Sequence, residues 1–312
     1  MATISLQPYP RSGPVSFSGH ETFVLRYSWL KKAYDAVVDD PAIFTRDDAV
    51  VGLGVGKNMV RSIRHWALAC QVVREEPKTR GLSLSPTDFG TFLFGDSGKD
   101  PYLEDVNSLW LIHWFLCINE SRATTWNWAF NIVRTTEFNA QTLFISVQSE
   151  LGRRMLKCPS ANTLRRDVDV FVRTYLPSRL AKKSVLEESL DSPLVELGLL
   201  VAEGGDTFSF VRGPHRSLDG IVFAASVMDF WSREAPRQET LSFNEIAYAP
   251  NSPGCVFKLD EDGLVERLEN LEKTTHGRVL YADTAGIKQL YRKSPVTSSE
   301  LLEQYYVAAV KG

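Results

Sequence analysis

Seven aromatic residues fall between Tyr102 and Phe130, and four of them are tryptophans: Trp110, Trp114, Trp126 and Trp128. Rings at that density must be buried together, because each carries a large apolar surface. Their spacing predicts two packed helices joined near residues 119–124, forming the centre of the protein. The longest apolar run, 109–118, is interrupted by His113 and is too short to cross a bilayer. With 312 residues, 44% hydrophobic and 23% charged, the chain has ample apolar material for two or three globular domains.

On either side of this core the same order of signals recurs. Phe23, Tyr27, Leu30, Ala33, Tyr34 and Val37 lie at helical spacing and predict a helix over 21–38. A short helix is expected near Thr45, with Asp47 and Asp48 in its first turn. A glycine turn, a helix over 57–73, a hairpin around 77–81 and a helix opening at Ser85-Pro86 follow. Helix, helix, turn, helix, hairpin is the order of a winged helix-turn-helix. Residues 138–175 again read helix, turn, helix, with Ser160 as N-cap. Further on, a hairpin turns at Gly204-Gly205 and 218–231 reads as an amphipathic helix. Residues 241–292 read as helix, loop, long helix, short strand and helix, a degenerate third unit.

The expected fold class is therefore mainly α with small β hairpins: tandem winged helix-turn-helix-like units around an aromatic helical core. Three domains are expected. Residues 1–99 form a winged-helix-like DNA-binding domain behind an extended N-terminal arm. Residues 100–190 hold the aromatic core and the second helix-turn-helix unit, ending in a basic linker over 177–184. Residues 191–312 form an α/β domain with winged-helix-like features.

The stretch GLGVGKNMVRSIRHW, 52–66, invites a nucleotide-binding reading that fails on its spacing. A phosphate-binding loop needs a leading glycine where Val51 stands and a hydroxyl where Asn58 stands. No nucleotide is expected. As a helix the stretch divides cleanly. At about 100° per residue, Lys57, Arg61 and Arg64 share one face and Met59, Ile63, Trp66, Ala67 and Cys70 the other. Asn58 and Ser62 add polar groups, and Lys78 and Arg80 sit on the following hairpin as on a wing. The alternative is an ordinary solvated basic face.

The second unit divides in the same way. Leu164, Val168, Phe171 and Tyr175 form a stripe; Arg165, Arg166, Asp169 and Arg173 lie together elsewhere, with Thr163 at the helix start. Residues 151–184 hold nine Lys or Arg against two Asp in a chain of net charge −3, so phosphate is the natural partner of this region. Asp167 and Asp169 point about 160° apart on a helix and make poor co-ligands for a metal. Double-stranded DNA is the expected partner.

Chemistry is harder to place. His20 and Glu21 stand at the mouth of the first expected helix, as a cap or as a catalytic pair. The loop 95–105 holds Asp96, Asp100, Glu104 and Asp105, a local supply of carboxylates for a divalent ion or for solvent. His20, Glu21, Glu104 and Asp105 are the catalytic candidates, and Asp100 and Glu104 the candidate ligands of Mg2+ or Mn2+. No nucleophile elbow or HExxH stands out. Four scattered cysteines (70, 117, 158, 255) and an N-terminus without an apolar run point to a cytoplasmic protein with reduced thiols and no membrane anchor.

Several long motifs act together: FSGHETF, LGVGKNMVRSIRHWALA, DPYLED, ATTWNWAFN, TLRRDVDVFVRTY, SPLVELGLL, SPGCVFKLDED and TAGIKQLYR. They resemble the SspB-type proteins of the bacterial single-stranded DNA phosphorothioation systems, over nearly the whole chain from Phe17 to Arg292. The resemblance implies a DNA-nicking endonuclease that opens one strand for sulfur insertion in a defence system. It implies as partners a cysteine desulfurase, an ATPase and an ATP pyrophosphatase-like sulfur transferase. It brings no catalytic residue set with it. A non-catalytic DNA-binding scaffold, or a transcription regulator that dimerises on palindromic sites, remains the alternative from the residues alone.

Overall fold

A computed structural model describes residues 14–177 and 191–309. The first part of the N-terminal arm, and Arg179, Lys182 and Lys183 of the basic linker, lie outside the described residues. The chain packs into two units. Among the described residues the larger spans 14–129 and 133–210, and the smaller takes 130–132 with 211–309.

In the larger unit, α1 (Tyr27–Asp39) buries Trp29, Leu30, Ala33, Tyr34 and Val37, the face its i, i+3, i+4 spacing dictates. It begins later than the sequence reading placed it. Glu21 and Thr22 have φ of 48° and 70°, a left-handed backbone that no helix contains, so His20 and Glu21 do not cap this helix. A 3-10 turn precedes α2 (Ala49–Leu53), so Asp47 and Asp48 come before the helix rather than in its first turn. Gly54, at φ 64°, ends α2 in the left-handed conformation that glycine adopts without strain. Three residues later α3 (Lys57–Ala69) begins.

β1 (Val73–Glu75) pairs antiparallel with β2 (Leu84–Pro86). Ser85 and Pro86 thus belong to a strand. The next helix, α4 (Asp88–Phe94), opens on Thr87, whose side chain accepts from the Gly90 N–H. Then come α5 (Val106–Cys117) and α6 (Thr124–Asn131). Trp66, Trp110, Trp114, Trp126 and Trp128 are all fully buried, so the aromatic stretch is a core.

β3 (Glu137–Asn139) leads into α7 (Ala140–Arg153) and α8 (Ala161–Tyr175), whose N-cap is Ser160. β4 (Leu200–Gly204) and β5 (Thr207–Phe210) turn at Gly204-Gly205, and the sheet order is β3-β5-β4.

The smaller unit opens with α9 (Gly220–Glu234), buried at every position from Val222 to Trp231. It is a central helix without a solvent face, not an amphipathic one. β6 (Thr240–Ser242), α10 (Phe243–Tyr248) and α11 (Pro253–Val256) follow. The expected long helix breaks at Asn270 into α12 (Glu261–Glu269) and α13 (Leu271–Thr274). β7 (Val279–Thr284) and β8 (Ile287–Arg292) then form a hairpin, and α14 (Ser298–Ala309) closes the unit. The end of the stretch 241–292, expected as a helix, is the strand β8. Ala285 and Gly286 both have positive φ, which makes the tight turn that strand twist favours.

One order recurs. β3, α7, α8, β4, β5 and β6, α10 to α13, β7, β8 each read strand, helices, hairpin, with the last strand in the middle of a three-stranded sheet. In α1 to β2 the Leu84 N–H bonds the Pro41 carbonyl at 2.8 Å, so a single residue stands where the first strand would be. Among the described residues no helix is long and apolar enough to cross a membrane.

Candidate nucleic-acid interface

The helix α3 carries the division its sequence dictates. Val60, Ile63, Trp66 and Ala67 are buried, while Lys57, Asn58 and Arg61 face solvent. Two members of the expected polar face are engaged within the fold. Ser62 is fully buried, with no hydrogen-bond partner for its Oγ among the described residues. Arg64 donates through Nη2 to Glu75 Oε1 and to the Gly81 carbonyl, both at 3.0 Å, and so fastens α3 to the β1–β2 hairpin. Arg122 reaches the other oxygen of Glu75 at 2.8 Å. Lys78 and Arg80 are exposed on the loop of that hairpin, both with positive φ.

On α8 the exposed residues are Arg165, Arg166 and Asp169, with Arg173 half-buried. Arg173 Nε pairs with Asp169 at 3.0 Å, and the Arg165 guanidinium lies 5.3 Å from the centre of the Phe144 ring. Thr163 serves the helix start, donating its N–H to Ser160 Oγ.

Between these helices lies the segment 16–23, and it is pinned from every side. Asp167, 1% exposed, accepts from the Ser18 N–H at 2.7 Å, from His20 Nε2 at 2.8 Å and from Thr125 Oγ1. His20 Nδ1 accepts from the Thr22 N–H at 3.1 Å, which leaves Nε2 as the donor to Asp167. The Phe23 carbonyl accepts from Trp66 Nε1, and the Ser16 N–H donates to Thr124 Oγ1. At Gly19 the backbone passes so close to His65 that a Cβ would meet its Nδ1 at 2.4 Å. From the outer side, Glu21 faces Arg61 of α3 at 3.5 Å, and the Thr22 carbonyl accepts from Arg173 of α8 at 2.9 Å. One loop therefore ties the two basic helices together.

His65 sits under this loop, its ring 5.7 Å from that of His20. Burial pushes its pKa down to about 3, helped by the nearby His20 and opposed by Asp167.

The structure does not bring the remaining candidates together. Asp100 is 6% exposed, and its two oxygens accept from the N–H groups of Glu104 and Asp105, which shapes the loop. Asp105 caps α5 by accepting from the Asn107 N–H. Glu104 is exposed. Among the described residues no three His, Cys, Asp or Glu side chains converge as a metal site would require.

Sequence reasoning weighed Asp167 only as a metal ligand and passed over Thr125 and Glu75. For Asp167 a signal existed: it falls at the edge of the apolar stripe of α8, and a carboxylate there must be paired to be buried.

The family of proteins of unknown function designated DUF4007 matches residues 17–306. No curated protein matches. Two solved structures, a magnesium ion-bound SspB and an SspB, each superpose with a TM-score of 0.83 at 30% identity. Each alignment covers 94% of this chain and 88% of the other. The chain belongs to the DUF4007 family and is an SspB-type protein.

Proposed function

We propose that this protein binds duplex DNA as a component of a phosphorothioation system, working with the sulfur-transfer enzymes of that system. The observation that carries the reading is the loop shared by α3 and α8. Arg61 and Arg173 contact Glu21 and Thr22, neighbouring residues whose Cα atoms lie about 3.8 Å apart. Two basic helix faces converge there, as contact with one phosphate backbone requires. The recurring order of strand, helices and hairpin supports assigning α3 and α8 as the reading helices of winged-helix units, with the 76–83 loop as a wing. Fluorescence anisotropy with a labelled duplex, repeated over a salt series, tests this. Arg61→Glu with Arg173→Glu weakens binding and flattens the salt dependence; unchanged binding overturns the reading.

A second reading is strand nicking, which the magnesium-bound relative favours. Glu21 and Glu104 are the carboxylates with solvent access that it draws on. His20, Asp100 and Asp105 spend their polar atoms on the fold, so their donor set does not fit a metal ion, and no step is derived through one. Conversion of supercoiled plasmid to open circles with Mg2+ or Mn2+, lost in Glu104→Ala while duplex binding persists, supports nicking. Duplex binding without open circles leaves a DNA-binding scaffold.

A further inference from the structure

A cavity of about 490 Å³ opens beside α1, away from the residues used so far. Tyr27, Lys31, Lys32, Asp35 and Asp39 of α1 are among its lining residues, with Leu53 and Tyr102. Its volume falls in the range that holds a small organic ring system. Two of its walls are aromatic and open to solvent: Tyr27 is 40% exposed and Tyr102 73%.

The polar groups narrow the ligand. Lys31 has its charge paired by a carboxylate, while Lys32 keeps its charge and has it held against a backbone carbonyl. Lys31 Nζ bonds both oxygens of Asp35 at 2.6 Å, and Lys32 Nζ bonds the Leu53 carbonyl at 2.9 Å, leaving their methylene stems as apolar surface. Asp39 is exposed at the last turn of α1 and is a ready acceptor for an amino group. Flat apolar walls, two phenol rings and a hydrogen-bond acceptor match the face and the amino edge of a nucleobase. The chain runs from Leu53, in the cavity wall, through the glycine turn to Lys57 in four residues, so these two Cα atoms lie within roughly 15 Å of each other.

We propose that this cavity takes an unstacked base of single-stranded DNA adjoining the duplex held by α3 and α8. The inference rests on the DNA-binding reading above and adds a single-strand site to it. Base stacking on an exposed tyrosine tightens binding by about tenfold or more. The test compares three labelled substrates with the full chain: a blunt duplex, the same duplex with a short oligo(dA) overhang, and that overhang made abasic. The overhang binds about tenfold tighter than either control, Tyr102→Ala abolishes the difference, and Tyr102→Phe keeps it. Equal affinity for the normal and abasic overhangs overturns the proposal. So does an overhang preference that survives Tyr102→Ala. Binding of the blunt duplex, measured in the same series with Arg61→Glu and Arg173→Glu, reports separately on the DNA-binding reading.

Discussion

The β6 to β8 segment of the smaller unit repeats the order of β3 to β5 in the larger one and reverses its charge. In β3 to β5 the helix before the hairpin is α8, which presents Arg165, Arg166 and Arg173. In β6 to β8 that place belongs to α12 and α13, which expose Glu261, Asp262, Glu266, Glu269 and Glu272. The one arginine there, Arg267, turns inward and donates through Nη2 to the carbonyls of Pro214, His215 and Leu218. Backbone order alone therefore says nothing about DNA. Both versions bury the same kind of apolar stripe, and the solvent face is free to differ.

The comparison can be broken most directly by charge. Arg61→Glu together with Arg173→Glu lowers duplex affinity about 100-fold near physiological salt and reduces the salt slope by about 2. Glu266→Lys with Glu269→Lys in the smaller unit leaves the affinity at or above wild type. A loss of binding from the second pair would place the DNA contact on the wrong unit.

Asp167→Asn comes next. It removes the charge that holds Ser18, His20 and Thr125, and lowers stability by about 1–3 kcal/mol in urea denaturation. Duplex affinity falls with it, because α3 and α8 lose their common tie. Unaltered affinity would mean that the helices are held in place by other contacts.

A pH series separates the loop from the surface. An unfolded histidine titrates near 6.5, and His65 in the folded chain is lowered to about 3. Between those values the unfolded state binds the extra proton, so stability falls as pH drops from about 6.5 toward 3, by at most ~1.4 kcal/mol per pH unit. His65→Gln flattens that part of the stability profile, and a slope equal to wild type would assign the acid sensitivity elsewhere. The smallest effect belongs to the 76–83 loop. Lys78→Ala and Arg80→Ala each weaken binding a few-fold and take about 1 from the salt slope.

Helices with an apolar stripe were legible from the chain, as α1, α3 and α8 show, because burial imposes a period on the sequence. The hairpin at Gly204-Gly205 was legible from its turn residues. The β8 strand was not, since TAGIKQLYR carries no clean alternation and its pairing with β6 is long-range. The site divided along the same line. Lys57 and Arg61 could be placed on a face by spacing alone. The tie between Glu21 and Arg61, or between Ser18 and Asp167, joins residues 40 and 149 positions apart, and no local pattern encodes it. His20 drew notice by its residue type alone, and its buried hydrogen bonds to Asp167 and the Thr22 N–H could not be read from the chain.

The division of the chain has a consequence for its inheritance. Lys258, 1% exposed, donates to the Phe130 carbonyl at 2.7 Å, and the Asn251 N–H donates to Asn131 Oδ1 at 2.7 Å. Three residues from the middle of the chain thus belong to the smaller unit. A gene fragment beginning at Val211 would encode that unit without the carbonyl that its buried ammonium needs. The two units cannot be shuffled between genes as separate cassettes, and recombination is expected to carry the chain from Phe17 onward as one piece.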